Sequence, residues 1–204
     1  MFRNRFALIL FLLAAAMAAG VLLWREGSNV QGLGRVVSAG QADIGGPFHL
    51  IDQEGRKVSD TDFRGRYMLI YFGYSFCPDV CPTTLGVMAA ALGKMGADSQ
   101  KVVPIFITID PDRDTAKVLK PYMAAFGPRF VGLTGDGAAI AQVEKEFHVY
   151  AKKQPLNPAK SSGNYAMDHS SVIYLMGPDG KLVNYYDEAI SPGDLAADIK
   201  QKMT

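Results

Sequence analysis

The chain opens on one long apolar block and then settles into short apolar runs separated by polar turns. Residues Phe6 to Trp24 are apolar apart from Gly20. As a helix, that block spans roughly 28 Å at about 1.5 Å per residue, close to a bilayer core of about 30 Å. Residues Gly27 to Gly46 are rich in Gly, Ser, Gln and Ala and read as a tether. Past Pro47 the pattern becomes that of a globular domain. Phe48–Val58 reads as two short strands around a Gly55 turn, and Tyr67–Phe72 as a strand covered on both faces. Leu85, Met88, Ala89, Leu92 and Met95 stand at helical spacing within a helix over Pro82–Met95. Val102–Ile109 is a second buried strand, followed by a helix capped by Asp114 or Thr115 and carrying Val118, Leu119, Tyr122 and Met123. Phe130–Leu133 is a short strand, and Asp136 opens a helix running to Phe147. Ser171–Met176 and Leu182–Tyr186 flank Gly177-Pro-Asp-Gly180, a hairpin turn. Ser191-Pro192 starts a last helix.

This order alternates strand and helix and ends on a hairpin and a helix. It predicts an α/β domain of thioredoxin-like type, with a central mixed sheet flanked by helices and an N-terminal β-hairpin. The organisation expected is residues 1–5 as a cytoplasmic N-terminus, 6–24 as a single transmembrane helix, 25–46 as the tether and 47–204 as one domain. Arg3 and Arg5 precede the apolar block, whereas Arg25 and Glu26 cancel after it. The positive-inside rule then places the C-terminal body outside the cytoplasm. The competing reading is a cleaved signal peptide with Ala16-Met17-Ala18 at its end, but the apolar run continues to Trp24, and signal cores usually span about 7–15 residues. A five-residue lead is too short for a mitochondrial transit sequence, so the expected location is a bacterial inner membrane with a periplasmic domain. Net charge is +1, which offers nucleic acid nothing to bind.

Candidate chemistry centres on the chain's two cysteines, Cys77 and Cys81, in Phe72-Gly-Tyr-Ser-Phe-Cys77-Pro-Asp-Val-Cys81-Pro82. On a helix, positions i and i+4 share a face, so both sulfurs can converge on one ion or on each other. A helix N-terminus also favours thiolate. Three readings follow: a redox dithiol, a metal site, or a structural disulfide, the last constraining so short a loop only weakly. The third ligand separates the first two. His49 reads as an exposed residue of an edge strand and His148 as a helix C-terminal cation. His169, in Asp168-His169-Ser170, ends a long polar loop that can fold over the strand ends. Thioredoxin-type redox domains carry Cys-x-x-Cys and a proline before the facing strand, and this chain has neither. Two thiolates and one imidazole suit Cu(I), and Cu(II) with a further oxygen ligand. Zinc accepts the same set, but no general base is marked out for zinc hydrolysis.

Three segments together resemble the SCO/SenC copper proteins: Phe72–Pro82 with both cysteines, Ile109-Asp-Pro-Asp-Arg-Asp-Thr115, and Asp168-His169-Ser170. The resemblance implies that Cys77, Cys81 and His169 ligate one copper ion per chain. It also implies copper delivery to, or cysteine reduction at, the dinuclear copper site of cytochrome c oxidase subunit II. A periplasmic thiol reductase or copper donor is then a further partner. A thiol–disulfide oxidoreductase remains the alternative activity. Asp110–Thr115 reads first as a turn and helix cap, with Asp112 or Asp114 paired to Arg113 or to a partner lysine as the functional alternative. Tyr71, Tyr74 and Phe76 read first as core aromatics, with a dry shell shielding the copper as the alternative.

Overall fold

The computed structural model describes residues 36–37, 44–156 and 165–203. The transmembrane helix expected over 6–24 and most of the tether lie outside these residues. Among the described residues no helix is long and apolar enough to cross a membrane.

The strands are β1 (Val36–Val37), β2 (His49–Asp52), β3 (Lys57–Ser59), β4 (Tyr67–Gly73), β5 (Val102–Thr108), β6 (Val131–Thr134), β7 (Ala151–Pro155), β8 (Tyr165–His169), β9 (Val172–Met176) and β10 (Leu182–Asp187). The helices are α1 (Val80–Met95), α2 (Ala116–Ala124), α3 (Gly137–Glu146) and α4 (Pro192–Lys202). Eight strands form one mixed sheet in the order β1-β10-β9-β4-β5-β6-β2-β3, while β7 and β8 pair separately. The parallel strands β4, β5 and β6 lie inside the sheet. Met68–Gly73 and all of β5 are buried, so they read in sequence as continuous apolar runs rather than alternations. Successive side chains of a strand face opposite ways. Tyr71 packs on Phe106 at 6.4 Å between ring centroids, on the side of α1. Phe72 stacks on Phe147, just past α3, at 5.3 Å. α1 and α3 therefore cover opposite faces, giving the thioredoxin-like arrangement expected.

Helix starts follow capping chemistry. The Thr115, Asp136 and Ser191 side chains accept from the Val118, Ala139 and Asp194 N–H groups. Of the two candidates before α2, Thr115 is the cap, and Asp114 is buried instead.

Several expectations change. β2 is not an edge strand: it pairs with both β3 and β6, leaving β3 at the edge, although His49 is exposed as expected. Val36–Val37 pair with Tyr186 and Tyr185, so the folded body begins ahead of the expected boundary at Pro47. The largest change is the β7–β8 hairpin, in a stretch that reads as polar loop. Lys152–Pro155 are exposed, so no apolar periodicity marks the strand.

Candidate metal centre

β4 ends at Gly73, and the segment after it carries both cysteines over the strand ends. A Cβ at position 73 would stand 2.8 Å from the Cys81 sulfur and 3.0 Å from the Phe106 ring, so only glycine lets α1 start this close to β4. The Ile109 N–H donates to the Gly73 carbonyl at 2.9 Å. Asp114 secures the next residues by accepting from the Ser75 N–H (2.9 Å), the Thr108 hydroxyl (2.7 Å) and the Ser75 hydroxyl. Burial pushes the Asp114 carboxyl up, against the lowering by its Ser75 and Thr108 donors. The Asp110–Thr115 segment thus has the structural role read first from its sequence. Its pairings differ from those expected: Asp110, not Asp114, holds Arg113, and exposed Asp112 pairs with Lys153.

Cys77 and Cys81 do not share a helical face as the spacing suggested. α1 begins at Val80, so Cys81 sits in its first turn and Cys77 stands outside, its N–H bonded to the Tyr74 carbonyl at 3.2 Å. The two still meet, because the Cys81 N–H points at the Cys77 sulfur from 3.5 Å. Both are free thiols. The expected depression of thiol pKa fails for Cys81, which burial pushes up to about 12. The magnitudes explain this. A helix terminus contributes about 0.3–1 kcal/mol, less than the roughly 1.4 kcal/mol of one pKa unit, whereas full burial shifts groups by up to about 3–5 units.

His169 ends β8, and the structure corrects its placement in a loop. Its backbone partner across the hairpin is Ala151. Nε2 lies 3.6 Å from the Cys81 sulfur and Nδ1 lies 3.0 Å from the Ser170 carbonyl. A carbonyl only accepts, so Nδ1 carries the proton and Nε2 turns its lone pair toward the sulfur, the tautomer that can ligate a metal. Tyr71 and Tyr74 pack edge-on against the imidazole at 6.4 and 6.0 Å. The Tyr71 hydroxyl lies 3.8 Å from the Cys81 sulfur, and the Tyr74 hydroxyl faces the Met167 N–H and Cys77. Burial raises both phenols. Tyr71 and Tyr74 are buried, as expected of core aromatics, whereas Phe76 is 59 % exposed beside Cys77, a correction to its core reading.

The structure therefore brings Cys77, Cys81 and His169 to one place, with Cys81 touching both others. The set is open: among the described residues, no three His, Cys, Asp or Glu side chains close into a ready-made ion cage. Its donors, two thiols and one available imidazole nitrogen, fit a soft ion of low coordination number. A groove of about 480 Å³ lies elsewhere, lined by His49, Ile51, Lys57, Ser59, Asp62 and Asp136, and it holds neither cysteine nor His169. Sequence reading missed Tyr165 and Met167, which share a strand face with His169. The available signal was the alternation Tyr165-x-Met167-x-His169.

The chain belongs to the SCO1/SenC family, whose model matches residues 36–204. It is 38% identical over 171 residues to the SCO2 homolog, mitochondrial, of Danio rerio, covering 83% of this chain and 59% of that protein. It thus spans well under two thirds of that relative's length. A solved structure of Bradyrhizobium japonicum ScoI with copper bound is similar at 46% identity and a TM-score of 0.71, over 78% of this chain and 99% of that one. BsSco, a Sco-family cytochrome c oxidase assembly protein in which a disulfide switch is identified, is similar at 26% identity and a TM-score of 0.65. That match covers 83% of this chain and 99% of BsSco.

Proposed function

From that membership and the site geometry, we propose that this chain is a copper metallochaperone, anchored in a bacterial inner membrane by residues 6–24. Its domain lies in the periplasm, carries one copper ion on Cys77, Cys81 and His169, and delivers it to the dinuclear copper site of cytochrome c oxidase subunit II. The observation that carries this reading is the His169 imidazole, whose Nε2 faces the Cys81 sulfur while Nδ1 is committed to the Ser170 carbonyl. A redox dithiol needs no such ligand. The copper-bound ScoI relative supports the choice of metal.

The residues divide the work. Cys81 supplies a buried sulfur that must give up its proton as copper binds, and half-buried Cys77 supplies the sulfur an acceptor reaches first. His169 completes the set from a separate hairpin, so it leaves without disturbing the sheet. Transfer is ligand exchange: acceptor thiolates replace these donors one at a time, with no net change in copper oxidation state. The tether raises the local concentration of the domain near a membrane-bound client.

Competition of the full chain against a Cu(I) chelator tests this. The wild type is expected to bind one copper, and His169→Ala to bind more weakly. Unchanged affinity and stoichiometry in that variant would end the three-ligand reading. A second reading, reduction of client cysteines, is favoured by the two free thiols held together and by the disulfide switch of BsSco. Offered an acceptor domain with oxidised cysteines and no copper, a reductase converts them to thiols and itself becomes the disulfide. A metallochaperone leaves them unchanged.

A further inference from the structure

His169 reaches the cysteines on a hairpin that, among the described residues, shares no backbone pairing with the main sheet. A two-stranded hairpin alone is marginal in water, so side chains must fix its position. Its base is tied to Tyr150, whose carbonyl accepts from the Ser170 N–H at 3.0 Å and whose N–H donates to the Ser170 hydroxyl at 3.2 Å. The far end of the hairpin is tied chiefly through one residue. Arg113 lies in the turn after β5, ion-paired through Nε to Asp110, which is fully buried. Its Nη1 donates to the Tyr165 carbonyl at 2.9 Å, and its guanidinium lies 3.8 Å from the Tyr165 ring centroid. The Tyr165 hydroxyl donates back to Asp110 at 2.6 Å. Tyr165 is thus held by its carbonyl, ring and hydroxyl at once. The neighbouring Lys153–Asp112 pair is solvent-exposed on both sides and contributes little.

Tyr165, Met167 and His169 lie two residues apart on β8 and share one face. That face is held at three points: Tyr165 on Arg113, Met167 packed against the core, and His169 against Cys81. The far anchor is four residues, or about 13 Å, from the ligand. The Arg113 guanidinium also lies 5.6 Å from the Tyr74 ring and 5.1 Å from the Phe76 ring, so it bridges the cysteine segment and the histidine hairpin.

We propose that Arg113 is a positioning residue for His169: by clasping Tyr165 against Asp110, it sets the hairpin where the imidazole meets the cysteine pair. The inference rests on the three-ligand reading above for its consequence, though not for the clasp itself. Loosening the clasp then withdraws the histidine as part of a moving ribbon and leaves the two sulfurs in place.

A double-mutant cycle on the full chain tests this, using Cu(I) competition on wild type, Tyr165→Ala, His169→Ala and the double variant. Tyr165→Ala is expected to weaken binding about tenfold, the low end for loss of an outer partner of a ligand, and to have no further effect once His169 is gone. Equal weakening in both backgrounds, or none in either, would overturn the proposal. Arg113→Lys keeps the charge but loses the fork, and is expected to weaken binding in the same histidine-dependent way. Amide hydrogen exchange on the copper-free chain gives an independent readout. In Tyr165→Ala, residues 166–170 are expected to exchange faster while Val102–Thr108 stays protected, and unchanged exchange at 166–170 would also overturn the clasp. If His169→Ala alone leaves affinity unchanged, the three-ligand reading fails, and the exchange experiment still decides the clasp.

Discussion

Cys81 hangs from β4 and α1, where its own side chain, the strand beneath it and the neighbouring Tyr71 are all buried. His169 hangs from β7–β8, a ribbon exposed along Lys152–Pro155 and joined to the body by a few side chains. The cysteine side is set by close packing, which yields only at the cost of a cavity or a clash. The histidine side is set by hydrogen bonds, stacking and the partial burial of Ala151 and Met167, each individually weak. On the proposed three-ligand reading, the contrast teaches how one site could hold an ion and still surrender it: the sulfurs would define what is bound, and the hairpin how firmly.

The most forceful way to break the contrast is on the packed side. Cys81→Ala is expected to reduce copper affinity by more than about 100-fold, beyond the range of about 10–100-fold for losing a partner outside the ligand set. Equilibrium metal competition checks it, with a melting curve to confirm the fold. Gly73→Ala places a methyl group against the Cys81 sulfur and the Phe106 ring. Overpacking of this kind costs about 1–3 kcal/mol, read as a lower urea midpoint, and the displaced sulfur weakens binding as well.

Acidity offers a gentler probe. Burial pushes the Cys81 thiol up to about 12, so on the proposed reading it must release a proton to bind copper at neutral pH. Lowering pH opposes that release, and affinity is expected to fall about tenfold per pH unit for this proton alone. Affinity that stays flat between pH 8 and pH 6 would show that Cys81 is not a ligand. The smallest effect lies away from the site, as a control on the comparison. Burial raises Glu144 from near 4.5 to about 7. Its folded-state value is the higher one, so the stability it contributes is present below about 4.5 and lost as pH rises through about 7. Glu144→Gln is therefore expected to stabilise the chain at pH 8 and not at pH 4.5. The gain is about 1 kcal/mol after allowing for solvent screening of a half-exposed group, or about 3 °C in melting temperature. Copper affinity should not change.

The same contrast governs what could be read from the chain. The main sheet was legible because its central strands are buried on both faces and must be apolar, and because Thr115, Asp136 and Ser191 mark helix starts with their own hydrogen-bonding chemistry. The β7–β8 hairpin was not, since Lys152, Lys153 and Gln154 carry no apolar alternation. The residues proposed as ligands were legible as a set through their types and their neighbours: two cysteines near a strand end and a histidine where a redox fold keeps proline.

By itself the sequence determined the α/β order, the caps, and the candidate chemistry of Cys77, Cys81 and His169, because periodicity, turn residues and side-chain type are local properties. Only the tertiary structure decided that Cys77 stands outside α1, that burial outweighs the helix terminus at Cys81, that His169 ends a strand with its Nε2 turned to sulfur, and that Arg113 lies between the two sides. Each of these depends on which residues distant in sequence come to share a volume. Desolvation, a close approach at a glycine and a clasp across 52 residues exist only once the chain has folded.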